Sequence, residues 1–254
     1  MITTYHRPTT LEEALALLVR PDTRPLGGGT VLNLPSADSF AVVDLQALGL
    51  DKIHKVGGKL EIGATTTLTL LLESPHISSA LAVALRLEAP LNLRNMGTVA
   101  GALVSCDGRS PFATAMLALD AKCSVFNGQD SVISLGDLLP LRAEKLRGKL
   151  ITKIEIPLNA KLAFETVART PADKPIVCAA LAMWPSGRSR LALGGWGRSP
   201  LLAMDGNGSD DVEAAAKNAF HKAGDEWASA EYRRDIAAVL SKRCLEKIDV
   251  IVYQ

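Results

Sequence analysis

The chain has 254 residues, of which 48% are hydrophobic and 22% charged, with 28 basic against 27 acidic side chains for a net charge of +1. That is enough to bury a sizeable core in one large or two smaller domains, and it excludes a disordered chain. The balanced charge gives no sign of the basic stripe a nucleic-acid binder needs, and no apolar run reaches the roughly 18 residues of a membrane span. The N-terminus, Met1-Ile2-Thr3-Thr4-Tyr5-His6-Arg7-Pro8, lacks the long apolar stretch of a secretory signal, so the chain reads as cytoplasmic.

Thr10-Leu11-Glu12-Glu13 has the form of a capping box. Leu11, Leu15 and Leu18 then recur at helical spacing until Pro21 stops the helix. Three glycines follow a short extended piece in Leu26-Gly27-Gly28-Gly29-Thr30-Val31-Leu32. Consecutive glycines permit backbone dihedrals closed to other residues and leave N–H groups uncovered, the chemistry of a pyrophosphate cradle. The stretch matches neither G-x-G-x-x-G nor the Walker pattern.

Residues 41–45 and 60–63 read as short strands, 67–72 as a short helix stopped by Pro75, and 77–88 as a core helix closed by Pro90. Thr98-Val99-Ala100-Gly101-Ala102-Leu103 reads as a second small-residue loop, and Pro111 opens an apolar helix. Residues 122–126 read as a strand turning at Asn127-Gly128, 134–139 as a helical turn, and 149–157 as a strand with one polar face ended by Pro157. A domain boundary falls near Pro157. Beyond it come strands at 176–184 and 190–194, a helix over 210–222, and a last helix over 230–247 with Ile236, Val239, Leu240 and Leu245 on one side.

Cys106, Cys123, Cys178 and Cys244 are widely spaced with no CxxC pair, and His6, His54, His76 and His221 are isolated. This pattern argues against zinc and against an iron–sulfur cluster held by this chain, and no metal ligands are assigned. No serine stands in a nucleophile elbow, and no side chain is assigned as a catalyst. The chemistry on offer is the pair of small-residue loops, placed to hold a nucleotide cofactor through backbone donors without a basic side chain.

At this pair the sequence resembles the FAD-binding (medium) flavoprotein subunits of molybdenum hydroxylases, the xanthine dehydrogenase and carbon monoxide dehydrogenase group. Leu26-Gly27-Gly28-Gly29-Thr30-Val31-Leu32 resembles that family's L-A-G-G-T-D-L, and residues 92–102 resemble its I-R-N-x-x-T-I-G-G-N loop. Leu60-Glu61-Ile62-Gly63-Ala64-Thr65-Thr66-Thr67-Leu68 is similar to L-x-I-G-A-x-T-T-L, and residues 115–121 to the helix after the second loop. Ala168-Arg169 with Asp173, residues 190–195 and residues 229–234 resemble landmarks of the family's C-terminal domain. The chain departs from the pattern at Val31, where Asp is usual, and at Ala100 for Gly and Ala102 for Asn. Pro111 stands where an Asp helps hold the cofactor, and Thr166 where Lys is common.

The resemblance implies an α+β chain. Residues 1–157 would form an FAD-binding domain of the vanillyl-alcohol-oxidase-like (PCMH-type) fold, in two α+β subdomains. Residues 158–254 would form a small α+β flavoprotein C-terminal domain. It implies FAD bound non-covalently through Leu26, Gly27, Gly28, Gly29, Thr30, Val31, Thr98, Val99, Ala100, Gly101, Ala102 and Ser110. It implies an oxidoreductase subunit that relays electrons from an iron–sulfur subunit through FAD to NAD or a quinone-type acceptor. The molybdenum cofactor and [2Fe-2S] clusters would sit in partner subunits. Two alternatives stay open: a degenerate assembly subunit with weak or no FAD binding, and a stand-alone flavin oxidoreductase.

Overall fold

Thr10 Oγ1 accepts the Glu13 N–H at 3.2 Å, and Glu13 Oε2 accepts the Thr9 N–H at 3.1 Å. The predicted capping box is thus formed, one residue wider on its return arm. The computed structural model describes residues 1–35 and 37–252. In chain order the elements are β1 (Ile2–His6), α1 (Leu11–Leu18), β2 (Thr23–Leu26), β3 (Phe40–Asp44), β4 (Ile53–Val56), β5 (Lys59–Gly63) and α2 (Leu68–Leu72). Then follow α3 (Ser79–Glu88), α4 (Leu91–Met96), α5 (Val99–Ser105), α6 (Pro111–Ala118), β6 (Lys122–Phe126), β7 (Asp130–Ser134), α7 (Leu135–Leu138), α8 (Arg142–Lys145) and β8 (Leu150–Pro157). The chain continues through β9 (Lys161–Val167), β10 (Val177–Met183), β11 (Arg188–Gly194), β12 (Leu201–Asn207), α9 (Val212–Ala219) and α10 (Ala230–Val252).

These elements form two compact units that are interleaved along the chain. The first comprises Met1–Pro75, Pro90–Ser105 and Lys122–Glu155; the second comprises His76–Ala89, Cys106–Ala121 and Ile156–Gln254.

The first unit holds two sheets. One is three-stranded and parallel, in the order β1-β3-β2, with Val43 and Leu45 packed on Ala14, Leu17 and Leu18. The buried face of α1 is therefore Ala14, Leu17 and Leu18, while Leu15 lies half-buried at its margin. The other sheet is five-stranded, in the order β4-β5-β8-β6-β7. Its β8 alternates as expected except at Thr152. There the pairing jumps from Ser124↔Lys153 to Val125↔Ile151, leaving one extra residue in β8. The Thr152 carbonyl accepts the Ala64 N–H at 3.0 Å, and the Ala64 carbonyl accepts the Ala100 N–H at 3.2 Å. A bulge in the sheet thereby fixes the segment after β5 and, through it, the start of α5.

Residues 99–103 are helical, where the sequence reading expected a loop over 98–103. Thr98 Oγ1 accepts the Gly101 N–H at 3.1 Å, so a threonine cap outweighs the poor helix propensity of glycine.

The second unit is built on the antiparallel sheet β12-β11-β10-β9. Strands β10 and β11 bury Val177, Ala179, Leu181, Leu191 and Leu193 against Val212, Ala216 and Phe220 of the α9 region and Ala237, Leu240, Cys244 and Ile248 of α10. This is the 3.6-residue face of α10, and Val239, expected on it, is 44% exposed. Two buried polar residues, Arg233 and Ser241, lie on that face and mask its period. Helix α6 is buried over all eight of its residues, with Pro111 in its first turn and the Ser110 hydroxyl accepting the Ala113 N–H at 3.0 Å. Among the described residues, no helix is long and apolar enough to cross a membrane.

Candidate functional site

The first glycine loop leaves the parallel sheet at Leu26, whose carbonyl accepts the Leu45 N–H at 3.0 Å. Past that point the N–H groups of Gly27, Gly28, Gly29, Thr30, Val31 and Leu32 meet no protein acceptor among the described residues. Gly29 has φ +70°, the left-handed region that glycine enters at little cost. The loop closes on itself where Asn33 N–H donates to the Gly29 carbonyl at 3.1 Å. Successive free N–H groups in such a turn form a concavity for an anion.

The same loop is pressed against the second motif. A β-carbon on Gly27 would lie 2.8 Å from Thr98 Oγ1, and one on Gly28 only 1.8 Å from the Met96 carbonyl oxygen. A β-carbon on Gly101 would also come to 2.8 Å from Thr98 Oγ1. The Thr98 hydroxyl is thus wedged between one glycine of each motif.

The second motif contributes differently from the expectation. Val99 N–H donates to the Thr66 carbonyl at 2.8 Å, Ala100 N–H to Ala64, Gly101 N–H to Thr98 Oγ1 and Ala102 N–H to the Thr98 carbonyl at 2.8 Å. These four donors are engaged inside the protein, so within 26–32 and 98–102 the N–H groups that meet no acceptor among the described residues are those of 27–32 and of Thr98. What the second motif offers is close approach through small residues.

A cavity of about 890 Å³ opens beside the first loop, within the first unit. Gly27, Gly28, Gly29, Thr30, Val31, Thr98, Ala100 and Gly101 line it. Four of the expected contacts do not: Leu26, Val99, Ala102 and Ser110. Val99, the first residue of α5, is fully buried. Ser110 belongs to the second unit and is 1% exposed; its hydroxyl donates to Glu88 Oε2 at 2.7 Å and caps α6. Burial pushes the Glu88 carboxyl up, opposed by its bonds to Ser110 and the Phe112 N–H. Asp107, also in the second unit, pairs with Lys174 at 2.8 Å.

Sequence reasoning missed the remaining walls. They include Thr65, inside the motif after β5, and residues at 18–25 and 142–151, among them Arg20, Arg147 and Lys149. Thr65 was within reach, since it stands in a quoted motif. The turns at 20 and 147 carry no pattern that marks a wall.

A volume near 890 Å³ falls in the range of pockets that enclose a cofactor. Free backbone donors on one wall and small residues on the next define a nucleotide-binding protein of the α+β class. Residues 1–159 match the FAD binding domain in molybdopterin dehydrogenase, and the chain belongs to that family. It is 31% identical over 251 residues to an uncharacterized protein, YgfM, of Escherichia coli strain K12, with 94% of each chain covered. It is 27% identical over 273 residues to the glyceraldehyde dehydrogenase medium chain of Sulfolobus acidocaldarius, covering 96% of this chain and 97% of that one. The fold matches a solved structure of reconstituted CO dehydrogenase from Oligotropha carboxidovorans with a TM-score of 0.81 at 26% identity, over 97% of this chain and 98% of that one. The chain therefore carries the FAD-binding domain of an oxidoreductase subunit, with the PCMH-like fold expected from its motifs.

The residues present fit that cofactor. A pyrophosphate has two negative charges, and the free N–H run at 27–32 would offer donors to one, at a place where the glycines leave the backbone bare.

Proposed function

We propose that this chain is the FAD-binding subunit of a molybdenum hydroxylase complex, passing electrons from an iron–sulfur subunit through FAD to NAD or a quinone-type acceptor. The observation that carries the proposal is the run of unengaged N–H groups at 27–32 on the wall of the cavity. Gly27, Gly28, Gly29, Thr30 and Val31 would hold the pyrophosphate, while Thr98, Ala100 and Gly101 would form the neighbouring wall. FAD, when bound, supplies the redox chemistry, and the chain supplies position, electrostatics and exclusion of water. The molybdenum cofactor and [2Fe-2S] clusters belong to partner subunits in this reading; the widely spaced cysteines of this chain agree with that division. We read residues 1–157 as the FAD-binding domain and 158–254 as the flavoprotein C-terminal domain, a division supported by the family match ending at residue 159.

A second reading has its own observation. Since the donors of residues 99–102 are engaged and the Val31 side chain stands half-exposed where the family pattern has Asp, FAD would be held by fewer bonds than the two motifs imply. In that reading the chain keeps the fold and an assembly role with weak or no flavin binding.

The absorbance spectrum of the purified chain separates the readings. Flavin bands at about one FAD per chain support electron relay. A colourless chain that gains no bands on added FAD overturns it and leaves the assembly role. Substrate turnover by this chain alone, with flavin bound, identifies a stand-alone oxidoreductase instead.

A further inference from the structure

The hydroxyl oxygens of Thr65 and Thr66 are buried and meet no hydrogen-bond partner among the described residues. Their backbones are fixed: Thr65 N–H donates to the Leu50 carbonyl at 2.8 Å, and Thr66 N–H to the Gly63 carbonyl at 3.1 Å. A desolvated hydroxyl without a partner is costly, and native proteins keep few of them. The two threonines differ in what surrounds them. Thr66 is sealed at 0% exposure, whereas Thr65, at 8%, forms part of the wall of the cavity that holds the first glycine loop.

Because Thr65 Oγ1 is itself covered, other atoms of the residue meet the cavity. Threonine carries a methyl and a hydroxyl on the same β-carbon, and one step of about 120° about χ1 in the right sense brings the hydroxyl to the place the methyl held, the methyl moving to that of the hydrogen. Such a step costs this hydroxyl no existing hydrogen bond, since it makes none. We infer that Thr65 is a positioning residue for the occupant of the cavity: its hydroxyl turns inward on binding and hydrogen-bonds the FAD. A hydroxyl donates or accepts, so any polar atom of the cofactor within reach serves. The inference rests on the FAD reading above and adds a side-chain contact to its backbone cradle.

The test uses the full-length chain, freed of flavin, as wild type, Thr65→Val and Thr65→Ser. FAD is titrated by fluorescence and absorbance, and thermal unfolding is followed with and without FAD. Thr65→Val is expected to weaken FAD binding about fivefold to twentyfold, with Thr65→Ser staying within about threefold of wild type. The flavin-free Thr65→Val chain is expected to melt no lower than wild type, because a methyl replaces an unpartnered hydroxyl; only the FAD-induced rise in melting temperature shrinks. Wild-type affinity in Thr65→Val overturns the inference. So does a flavin-free Thr65→Val chain that melts several degrees low, since the hydroxyl then supports the free protein. A wild-type chain that takes up no FAD in this titration overturns the FAD reading, and the role of Thr65 with it.

Discussion

Gly28 stands so close to Met96 that a β-carbon on the glycine would lie 1.8 Å from the Met96 carbonyl oxygen. The obstruction is backbone, which no side-chain rotation relieves. The glycine is therefore required by the packing of one motif on the other, while its N–H stays without a protein partner. One residue thus answers both needs of the proposed site: close approach of the two motifs, and a bare N–H that would face an anion.

Gly28→Ala is accordingly expected to cost about 1–3 kcal/mol or more of stability and to lose FAD. Gly58→Ala is the control, since its added β-carbon meets nothing within 4 Å, and a change within about 0.5 kcal/mol is expected. Thermal unfolding and flavin stoichiometry of the two variants check this. Equal melting temperatures would show that the two motifs do not pack as described.

In the second unit the Arg233 side chain is fully buried. Its guanidinium donates to the carbonyls of Ile176 at 3.1 Å, Ala223 at 2.7 Å and Ala228 at 3.1 Å, and to Asp225 Oδ1 at 2.7 Å. Burial works to raise the Asp225 carboxyl; Arg233 and the N–H groups of Trp227 and Ala228 outweigh it, so the group is held below its usual range. Arg233→Met leaves three carbonyls and a carboxylate without their donor, at an expected cost of about 3–5 kcal/mol. Arg233→Lys keeps the charge but loses the fork, and is expected to recover only part of that. Urea midpoints check both; a fully stable Arg233→Met would sink the argument.

The elements legible in the sequence were those with a cap or a buried face. Thr10 announces α1 and caps it through its side chain, while α2, α3 and α6 were legible from their apolar runs and flanking prolines, their caps Thr67, Ser78 and Ser110 showing only in the structure. The strands that escaped detection, β1, β4, β9 and β12, all lie at sheet edges. Three of them, β1, β4 and β12, have almost no buried residues and so no apolar period to read. In the site, the first glycine loop was legible because glycines advertise bare backbone. The second was misread for the same reason: its glycine and alanines suggested free donors, but Thr98 starts a helix there and Ala64 and Thr66 take two of the N–H groups. Carbonyls supplied by Thr66 and Ala64, 33 and 36 residues before the N–H groups they accept, leave no trace in the local sequence.

The ion cluster on β11 and β12 sets a pH dependence. Arg188 Nε meets Asp205 Oδ1 at 2.8 Å, and Arg190 meets Asp205 Oδ2 at 2.5 Å. The Arg188 bond is the chief cause holding the Asp205 carboxyl below its usual range. A carboxyl depressed in the folded state adds stability that is complete above its unfolded value of about 3.9 and is lost as pH falls through the lower folded value. Asp205 keeps 32% side-chain exposure, so solvent screening limits the effect to about 1 kcal/mol. Asp205→Asn is expected to be less stable than wild type by that amount at pH 7, with the gap narrowing below about pH 4. A gap that stays constant between pH 7 and pH 3 would show that the carboxylate contributes nothing through its charge.

All four cysteines are free thiols and buried. Burial alone pushes the Cys123 thiol up to about 12, and burial is the chief cause of the same rise to about 12 at Cys178 and Cys244. At pH 8 such a thiol is ionised in only about one molecule in ten thousand, and the thiolate is the reactive form. Cys106, at 6% exposure, is shielded by burial as well. The native chain is therefore expected to react with a thiol reagent such as dithionitrobenzoate only as fast as it opens, and to release four equivalents at once in denaturant. Fast reaction of one thiol in the native chain would locate an opening at that cysteine, and mass mapping of the adduct would say which. Addition of FAD separates the two units in the same assay: a cofactor bound in the first unit slows labelling of Cys123, on β6, if local opening of that unit is what exposes it.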